Sequence, residues 1–260
     1  MTTRLFFPAL LLCFAVNVVF ATELTACDND EDWPPLLYET EPGKGNTQLR
    51  GFSVELLSAI LAEHGVHLRI VRQPFARCMA AVKAGQFDML LHASSNPVRL
   101  QDYHLTHPIF SLTPALLYHR TRHNLSLLKT TQVLQRYRVC AVNGSNVRAL
   151  GLSEAAVDTT SYTIESIIGK VLRDRCDVSP VVAEAFRATV FKDEQDRPRH
   201  SELGLLYPNW LPRVNYHAML SRQFAQADMW RQRIDSSLAQ MLVDGRYAAL
   251  AARYGLASKP

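Results

Sequence analysis

One stretch of the chain, residues 73–99, combines a helix pattern, a buried-strand pattern and a polar turn that ends on an arginine. Gly85 ends the helix pattern, because glycine readily adopts the backbone conformation that terminates helices. The mostly apolar run at residues 87–91 is typical of a strand that is covered on both faces of a sheet. The residues after such a strand lie at its carboxyl end, where open α/β sheets place their ligands. The stretch therefore predicts an α/β fold with a candidate site at residues 92–99.

The polar turn contains the first candidate binding residues, Ser94, Ser95 and Arg99. An arginine beside two hydroxyl groups suits a carboxylate, because the planar guanidinium can donate to both carboxylate oxygens. On these residues alone, a solvated turn with a surface arginine is the alternative interpretation.

The first 21 residues have the pattern of a secretory signal peptide. Arg4 precedes a mostly apolar run over residues 5–20, and Val19-Phe20-Ala21 fits a small-residue cleavage site. An uncleaved membrane anchor is the alternative, but the run is short and interrupted by Pro8 and Asn17. We therefore predict cleavage after about Ala21 and an exported mature protein.

The formal charge of the chain gives no indication of nucleic-acid binding. A net charge of +4 over the whole chain is a mild bias, and the basic residues form no dense run.

Four cysteines remain after the signal peptide, with no CxxC pair and no zinc-like spacing. In an oxidising compartment an even number of cysteines indicates disulfides, and four cysteines allow three connectivities. Cys27 and Cys140 each lie by a predicted strand, and Cys78 and Cys176 each lie in or just after a later helix. This repeated arrangement favours Cys27–Cys78 and Cys140–Cys176. Four buried free thiols are the alternative.

The mature chain runs through two similar series of strands and helices, separated by a polar break at residues 120–124. The second series repeats the order of the first: a helix, a cysteine, an aspartate, an apolar strand and a polar residue. Two such α/β lobes joined by extended crossings predict a cleft whose ligand touches both. In the second lobe, the turn at residues 143–146 is similar to a helix N-terminus that receives an anion, and a plain capped turn is the alternative.

Seven motifs of the mature chain together point to one protein family: Trp33-Pro34-Pro35 with Tyr38, Gly51–Leu56, Lys83–Asp88, Asn96–Arg99, Val142–Ser145, Asp174–Asp177 and Asp244–Gly255. In order and spacing they resemble the extracellular solute-binding proteins of family 3, which include polar amino-acid receptors of ABC transporters. Glu55 stands where the family usually has an aspartate. The cysteines of the segments PFARC and RCD further resemble a subgroup with one disulfide per lobe.

The resemblance implies a two-lobed, periplasmic-binding-protein-like (type II) α/β fold with a hinge and an interlobe ligand cleft. We expect lobe 1 to comprise residues 22–110 and the C-terminal helices of 217–260, and lobe 2 to comprise residues 111–216. The hinge is expected near residues 109–113 and 212–216. The same resemblance implies a periplasmic location.

The family's ligand contacts can be transferred only position by position. Arg99 matches the arginine that holds the ligand's α-carboxylate, with Ser94 or Ser95 beside it. The family's aromatic walls match Trp33 or Tyr38, and Phe75. A second arginine contact would be Arg77, and the second-lobe amides match Gly144, Ser145 and Asn146. For Arg77, a solvated helix position is the alternative.

The family's amine-binding acid has no direct match. It is expected a few residues after Asp177, where residues 179–182 are Ser-Pro-Val-Val, and Glu184 is the first acid beyond them. Either Glu184 substitutes from a shifted position, or the ligand lacks an α-ammonium group. A third interpretation places Glu184 at the start of a surface helix, where acids are favoured.

We therefore predict a monomeric receptor, without metal or cofactor, that captures a small polar ligand, an amino acid or related carboxylate, for an ABC-type importer with a membrane permease. A ligand-sensing input to a signalling partner is one alternative. A dehydratase-like enzyme on the same scaffold is another, with Glu184 or His92 as general acid. A metal carrier is weakly indicated, because His104 and His107 have no third ligand nearby in sequence.

Overall fold

The computed structural model describes residues 22–40, 48–125, 128, 130–190 and 200–260. The predicted signal peptide lies outside these residues. Along the described residues the strands are β1 (Thr22–Asp28), β2 (Tyr38–Glu39), β3 (Leu49–Arg50), β4 (Val66–Arg72), β5 (Met89–Ser94), β6 (Tyr103–Leu105), β7 (Phe110–Leu112), β8 (Pro114–His119), β9 (Val139–Val142), β10 (Val157–Ser161), β11 (Val178–Val182), β12 (Leu203–Leu206) and β13 (Val214–Ser221). The α-helices are α1 (Phe52–Ala62), α2 (Phe75–Lys83), α3 (Pro97–Asp102), α4 (Thr131–Leu134), α5 (Ile164–Leu172), α6 (Ala183–Val190), α7 (Ala227–Val243) and α8 (Arg246–Arg253). No helix in this part of the chain is long and apolar enough to cross a membrane.

The first lobe is built on the sheet β4-β1-β5-β13-β6, with β7 paired to one end of β13. Strands β4, β1 and β5 are parallel, and the returning strand β13 is antiparallel to β5. Helices α1, α7 and α8 bury their apolar sides in this lobe, and the Phe52 ring meets the Tyr247 ring edge-on at 5.5 Å. Each large apolar side chain buried in this way contributes about 1.5–3 kcal/mol.

The second lobe is built on the sheet β10-β9-β11-β8-β12. The chain enters it between β7 and β8, where Thr113 alone separates two strands of different sheets. It leaves after β12 and returns to the first sheet at Val214. The lobe boundaries expected at residues 110 and 216 fall within β7 and β13, which both belong to the first sheet.

Each lobe contains one disulfide, with the pairing expected from the sequence. Cys27 of β1 bonds to Cys78 of α2, and Cys140 of β9 bonds to Cys176, which follows α5. The bonds close loops with sequence separations of 51 and 36 residues. Loops of this size give about 4 kcal/mol of stabilisation each in the chain-entropy description.

Candidate functional site

A cleft with a volume of about 360 Å³ lies between the two lobes. Its walls come from the carboxyl ends of β1 and β5 in the first lobe, and from the end of β9, from β11 and from the start of α5 in the second. Clefts between lobes and at the carboxyl ends of parallel strands are the usual places for small ligands.

Arg99 lies on the first turn of α3, and local backbone chemistry places it there. The Asn96 side chain caps the helix by accepting a hydrogen bond from the Arg99 backbone N–H at 2.8 Å. The guanidinium folds back onto β5, where Nη1 donates to the Ser94 carbonyl oxygen at 2.7 Å. Its Nη2 donates across the cleft to the Gly144 carbonyl oxygen at 2.9 Å. Arg99 is 7% exposed, and its Cζ lies 5.6 Å from the centre of the Phe75 ring.

Asn146 makes further contacts from the second lobe to the first. Its side-chain amide donates to Ser94 Oγ at 3.1 Å and to the Ser95 carbonyl oxygen at 2.8 Å. The Asn96 amide donates in turn to Asn146 Oδ1 at 3.0 Å. The turn that ends β5 and the turn that follows β9 are therefore joined directly by hydrogen bonds.

Gly144 is required at its position for two reasons. Its backbone φ of +80° is in the left-handed region, which strains other residues. A Cβ at this position would also lie 3.2 Å from the Phe75 ring of the opposite lobe. Glycine thus allows the second-lobe backbone to approach the aromatic wall of the first lobe.

Aromatic rings line the first-lobe side of the cleft around Trp33. The Trp33 ring stacks on His92 at a centroid distance of 5.1 Å and lies 5.5 Å from the Tyr216 ring. Tyr216 stacks on Phe110 at 5.0 Å, so that the crossing strands β7 and β13 support this wall. Flat apolar faces of this kind fit an apolar or planar ligand body.

The buried pair Asp28 and His92 lies at the ends of β1 and β5. Asp28 Oδ2 is 3.2 Å from His92 Nδ1, and both residues are 3% exposed. Burial raises the pKa of Asp28 to about 7 and lowers the pKa of His92 to about 3. Burial thus favours the neutral form of each group, and at neutral pH His92 is uncharged whereas Asp28 is only partly ionised.

The remaining acids of the cleft are Glu31 and Asp32, which follow β1 near Arg72, and Glu165 on the first turn of α5. Asp32 pairs with Arg72 at 2.9 Å. Burial, together with the charges of Glu165 from the second lobe and of Asp30, raises the pKa of Glu31. These acids add negative charge to one side of the cleft.

Glu184 lies at the hinge. Its Oε2 accepts a hydrogen bond from the Thr113 backbone N–H at 2.9 Å, and its Oε1 accepts one from Thr113 Oγ1 at 2.8 Å. Arg213, on the second crossing, lies 3.8 Å from Oε1. Arg213 also donates to Thr113 Oγ1 at 3.0 Å. Glu184 thus joins the two crossings and is not among the residues that line the cleft.

Residues 26–257 match the family model of the bacterial extracellular solute-binding proteins, family 3. The chain belongs to this family. No curated protein sequence matches this solute-binding protein.

Solved structures of similar fold include amino-acid receptors and a sensor domain. The amino acid ABC transporter substrate-binding protein AbpA from Streptococcus pneumoniae, bound to L-arginine, is 18% identical, with a TM-score of 0.69 over 92% of this chain and 96% of that chain. The arginine-, lysine-, histidine-binding protein ArtJ from Geobacillus stearothermophilus is 16% identical, with a TM-score of 0.70 over 92% and 96%. A histidine kinase sensor domain with similarity to periplasmic binding proteins is 19% identical, with a TM-score of 0.71 over 92% and 98%. At these identities the likeness shows the two-lobed fold.

In this solute-binding protein, the cleft brings together part of the set of residues that the sequence singled out: Trp33, Phe75, Ser94, Arg99, Gly144, Ser145 and Asn146. Tyr38 lies in β2, and Arg77 is exposed on α2, and neither lines the cleft. Ser95 contributes its backbone carbonyl to an interlobe hydrogen bond.

Asp28 and Tyr216 line the cleft and were not singled out from the sequence. The sequence could have predicted Asp28 as a cleft residue, because it is an acid at the carboxyl end of the first strand. It could not have predicted Tyr216, because the strand of Tyr216 returns to the first sheet only after the chain has formed the second lobe.

The histidines that suggested a metal carrier are engaged with aspartates. His104 Nδ1 lies 3.5 Å from Asp228, and the His107 backbone N–H donates to Asp235 at 2.6 Å. Among the described residues, His123, Asp174 and Asp177 do bring possible ligand atoms within 4.8 Å of one another. The Arg138 guanidinium already donates to both of these aspartates and supplies the local positive charge.

Proposed function

We propose that the protein binds a small carboxylate-bearing solute, an amino acid or a related compound, in the interlobe cleft and delivers it to the permease of an ABC-type importer. Arg99 is the observation that carries this proposal. Its guanidinium is buried in the cleft and donates to uncharged oxygens of Ser94 and Gly144. Within the described part of the chain, no carboxylate is hydrogen-bonded to this guanidinium. A buried cation without a counter-ion is costly, and a ligand carboxylate would offset that cost.

The surroundings of Arg99 support the same chemistry. Ser94 Oγ lies 3.4 Å from Nη1, and Ser145 and Asn146 line the opposite wall. Hydroxyl groups and backbone amides are donors that complement a carboxylate held by arginine. The fold relatives AbpA and ArtJ, which bind arginine or related amino acids, also support a ligand of this class.

We propose binding without chemical turnover. Both candidate general acids are poorly suited to donate a proton to a ligand. Glu184 is held by Thr113, and the lowered pKa of His92 leaves its imidazole neutral at physiological pH. The protein would act as an exported monomer after cleavage near Ala21.

Ligand sensing is the second candidate function, favoured by the similar fold of a histidine kinase sensor domain. The cleft would take the same ligand in either case, and only the partner would differ. Reconstitution distinguishes the two, because a transport receptor stimulates ligand uptake by its permease, whereas a sensor changes the activity of a signalling partner.

Thermal unfolding of the mature oxidised protein with a panel of amino acids and small carboxylates tests the proposal. A ligand at 100 times its Kd should add about 2.7 kcal/mol of stability. Arg99→Ala should lose this gain, whereas Arg77→Ala, which removes an exposed arginine of the same lobe, should retain it. A compound that stabilises the wild type and Arg99→Ala equally would show that Arg99 does not hold the ligand.

A further inference from the structure

The covalent structure of an α-amino acid fixes where its ammonium group must lie. With ordinary bond lengths, the ammonium nitrogen is about 2.5 Å from the carboxylate carbon. A protein that holds the carboxylate with one arginine must therefore offer the ammonium group an acceptor, usually a carboxylate, close to that arginine.

Among the described residues, no acid is hydrogen-bonded to Arg99 or acts on it through its charge. The groups in contact with its guanidinium are the Ser94 and Gly144 oxygens and the Phe75 ring. The side chains whose charge acts on Arg99 are the phenols of Tyr216 and Tyr103, and burial lowers the pKa of Arg99. An acid close enough to share an amino-acid head group would counteract this lowering.

The part of the second-lobe wall formed by the end of β11 and the start of α6 is apolar. Pro180, Val181 and Val182 of β11 line the cleft, and Ala185 of α6 lines it beyond them. Glu184 lies within this segment, but its carboxylate is held by the Thr113 amide and hydroxyl at the hinge. Its charge acts on Tyr216 of the cleft wall, but Glu184 is not among the residues that line the cleft.

The first-lobe acids of the cleft are grouped around Arg72, and Glu165 lines the cleft from the first turn of α5 and acts on Glu31. Arg72 is the cation that acts on both Asp28 and Glu31, and it pairs directly with Asp32. Asp28 is further engaged with His92 at 3.2 Å. None of these acids is among the groups whose charge acts on Arg99, so they would suit a positive group remote from the ligand carboxylate rather than one on the adjacent carbon.

Building on the carboxylate-binding function proposed above, we propose that the ligand is a carboxylate whose α-carbon carries no ammonium group. Its carboxylate binds Arg99. Its body lies between the aromatic wall at Trp33 and the apolar segment 180–182. The substrate class is therefore that of aryl- and alkyl-carboxylates, including those with a polar group remote from the carboxylate, rather than free α-amino acids.

Matched pairs of ligands that differ only in the α-ammonium group test this proposal by titration calorimetry. Suitable pairs are phenylalanine with 3-phenylpropanoate, arginine with 5-guanidinopentanoate, and glutamine with 4-carbamoylbutanoate. We expect the best-binding pair to favour its desamino member at least tenfold, because burying an ammonium group without an acceptor is costly. A tenfold preference for the amino acid, or equal affinities, would overturn the proposal.

Two variants sharpen the test. Val182→Asp places a carboxylate on the cleft wall and should shift the preference toward the amino acid of the same pair by at least tenfold. Glu184→Gln should leave the preference within threefold of the wild type, because the Glu184 carboxylate lies at the hinge. If Glu184→Gln instead abolishes a preference for amino acids, Glu184 is the amine-binding group and the proposal fails.

The outcomes separate this proposal from the proposed function. Amino acids that bind more tightly than their desamino partners, in a manner that depends on Arg99, would overturn the ligand class alone. No binding by any pair, or binding that Arg99→Ala leaves unchanged, would overturn carboxylate binding as well.

Discussion

The segments that follow β5 and β11 have similar local structure, but their charged side chains lie in different parts of the molecule. In each lobe a buried strand is followed by a helix with a charged residue near its start, Arg99 on α3 and Glu184 on α6. Arg99 turns back into the cleft, where it contacts the other lobe. Glu184 turns toward the hinge and binds Thr113.

The way each helix begins explains this difference. Between β5 and α3 the chain has a polar turn, and Asn96 caps the helix. Between β11 and α6 there is no turn, since Val182 ends the strand and Ala183 begins the helix. The Ala183 backbone N–H still donates to the Thr113 carbonyl oxygen of the neighbouring crossing. Glu184 is therefore held beside Thr113, and the position of a charged residue after a strand does not by itself make it a ligand contact.

The disulfides test the likeness of the lobes and have the largest expected effect. Removing either one, as Cys27→Ala with Cys78→Ala or as Cys140→Ala with Cys176→Ala, should lower the free energy of unfolding by about 4 kcal/mol. The two losses should be similar, because the loops that the bonds close span 51 and 36 residues and the entropy of loop closure depends only weakly on length. Urea titration of the oxidised variants measures both. A loss confined to one lobe would show that the bonds are not equivalent.

Arg99 and Glu184 should differ in their effect on ligand affinity. Arg99→Ala should weaken binding about 100-fold, since a bidentate charged hydrogen bond is worth about 3 kcal/mol. Glu184→Ala, made without any other substitution, should change the affinity for the same ligand by less than threefold. Calorimetric titration with the best ligand of the panel measures both variants. Equal losses would break the distinction between cleft and hinge.

Glu184 should contribute to the stability of the protein without ligand, although it contributes little to ligand affinity. Glu184→Ala should lower the free energy of unfolding by about 2 kcal/mol, because the Thr113 amide loses a charged acceptor in a partly buried place. Glu165→Ala is the matched control, since Glu165 is an exposed acid on the first turn of α5. It should cost under about 0.5 kcal/mol. Chemical denaturation at neutral pH gives both values.

The Asp28–His92 pair predicts a pH dependence of the stability of lobe 1 that is partly hidden in the wild type. The raised pKa of Asp28 makes stability fall as the pH rises from about 4 to 7, because the folded state holds a proton that the unfolded state has lost. The lowered pKa of His92 makes stability rise between about pH 3 and 6.5, because only the unfolded state is protonated there. In the wild type the two slopes oppose each other between about pH 4 and 6.5.

Single substitutions should reveal each slope. Over pH 4.5–6, Asp28→Asn should gain stability with rising pH relative to the wild type, by about 1.4 kcal/mol per pH unit at most. His92→Gln should lose stability by a similar amount over the same range. Urea unfolding at four pH values measures the slopes. If both variants follow the wild-type curve, the pair does not titrate as its burial indicates.

Much of the fold follows from local pattern. Helix α5 over Ile164–Leu172 is one example, because Thr163 caps it and its apolar residues repeat at helical spacing. The sequence did not predict helix α3, because it is short and the Asn-Pro pair at its start also indicates a turn. Helix α6 was only one of three interpretations of Glu184, because the strand before it runs into it without a turn residue, and the structure does place Glu184 on its first turn.

The sequence alone determined the alternation of strands and helices, the pairing of cysteines that recur at matching places in the two lobes, and the polar residues at the ends of β5 and β9. These features depend on periodicity and on short-range backbone chemistry, which are readable along the chain. Only the tertiary structure decided that Arg99 enters the cleft, that Glu184 joins the two crossings, and that Asp28 meets His92. Each of these outcomes depends on which strand lies beside which, and partners 45 to 71 residues apart in sequence leave no local signal.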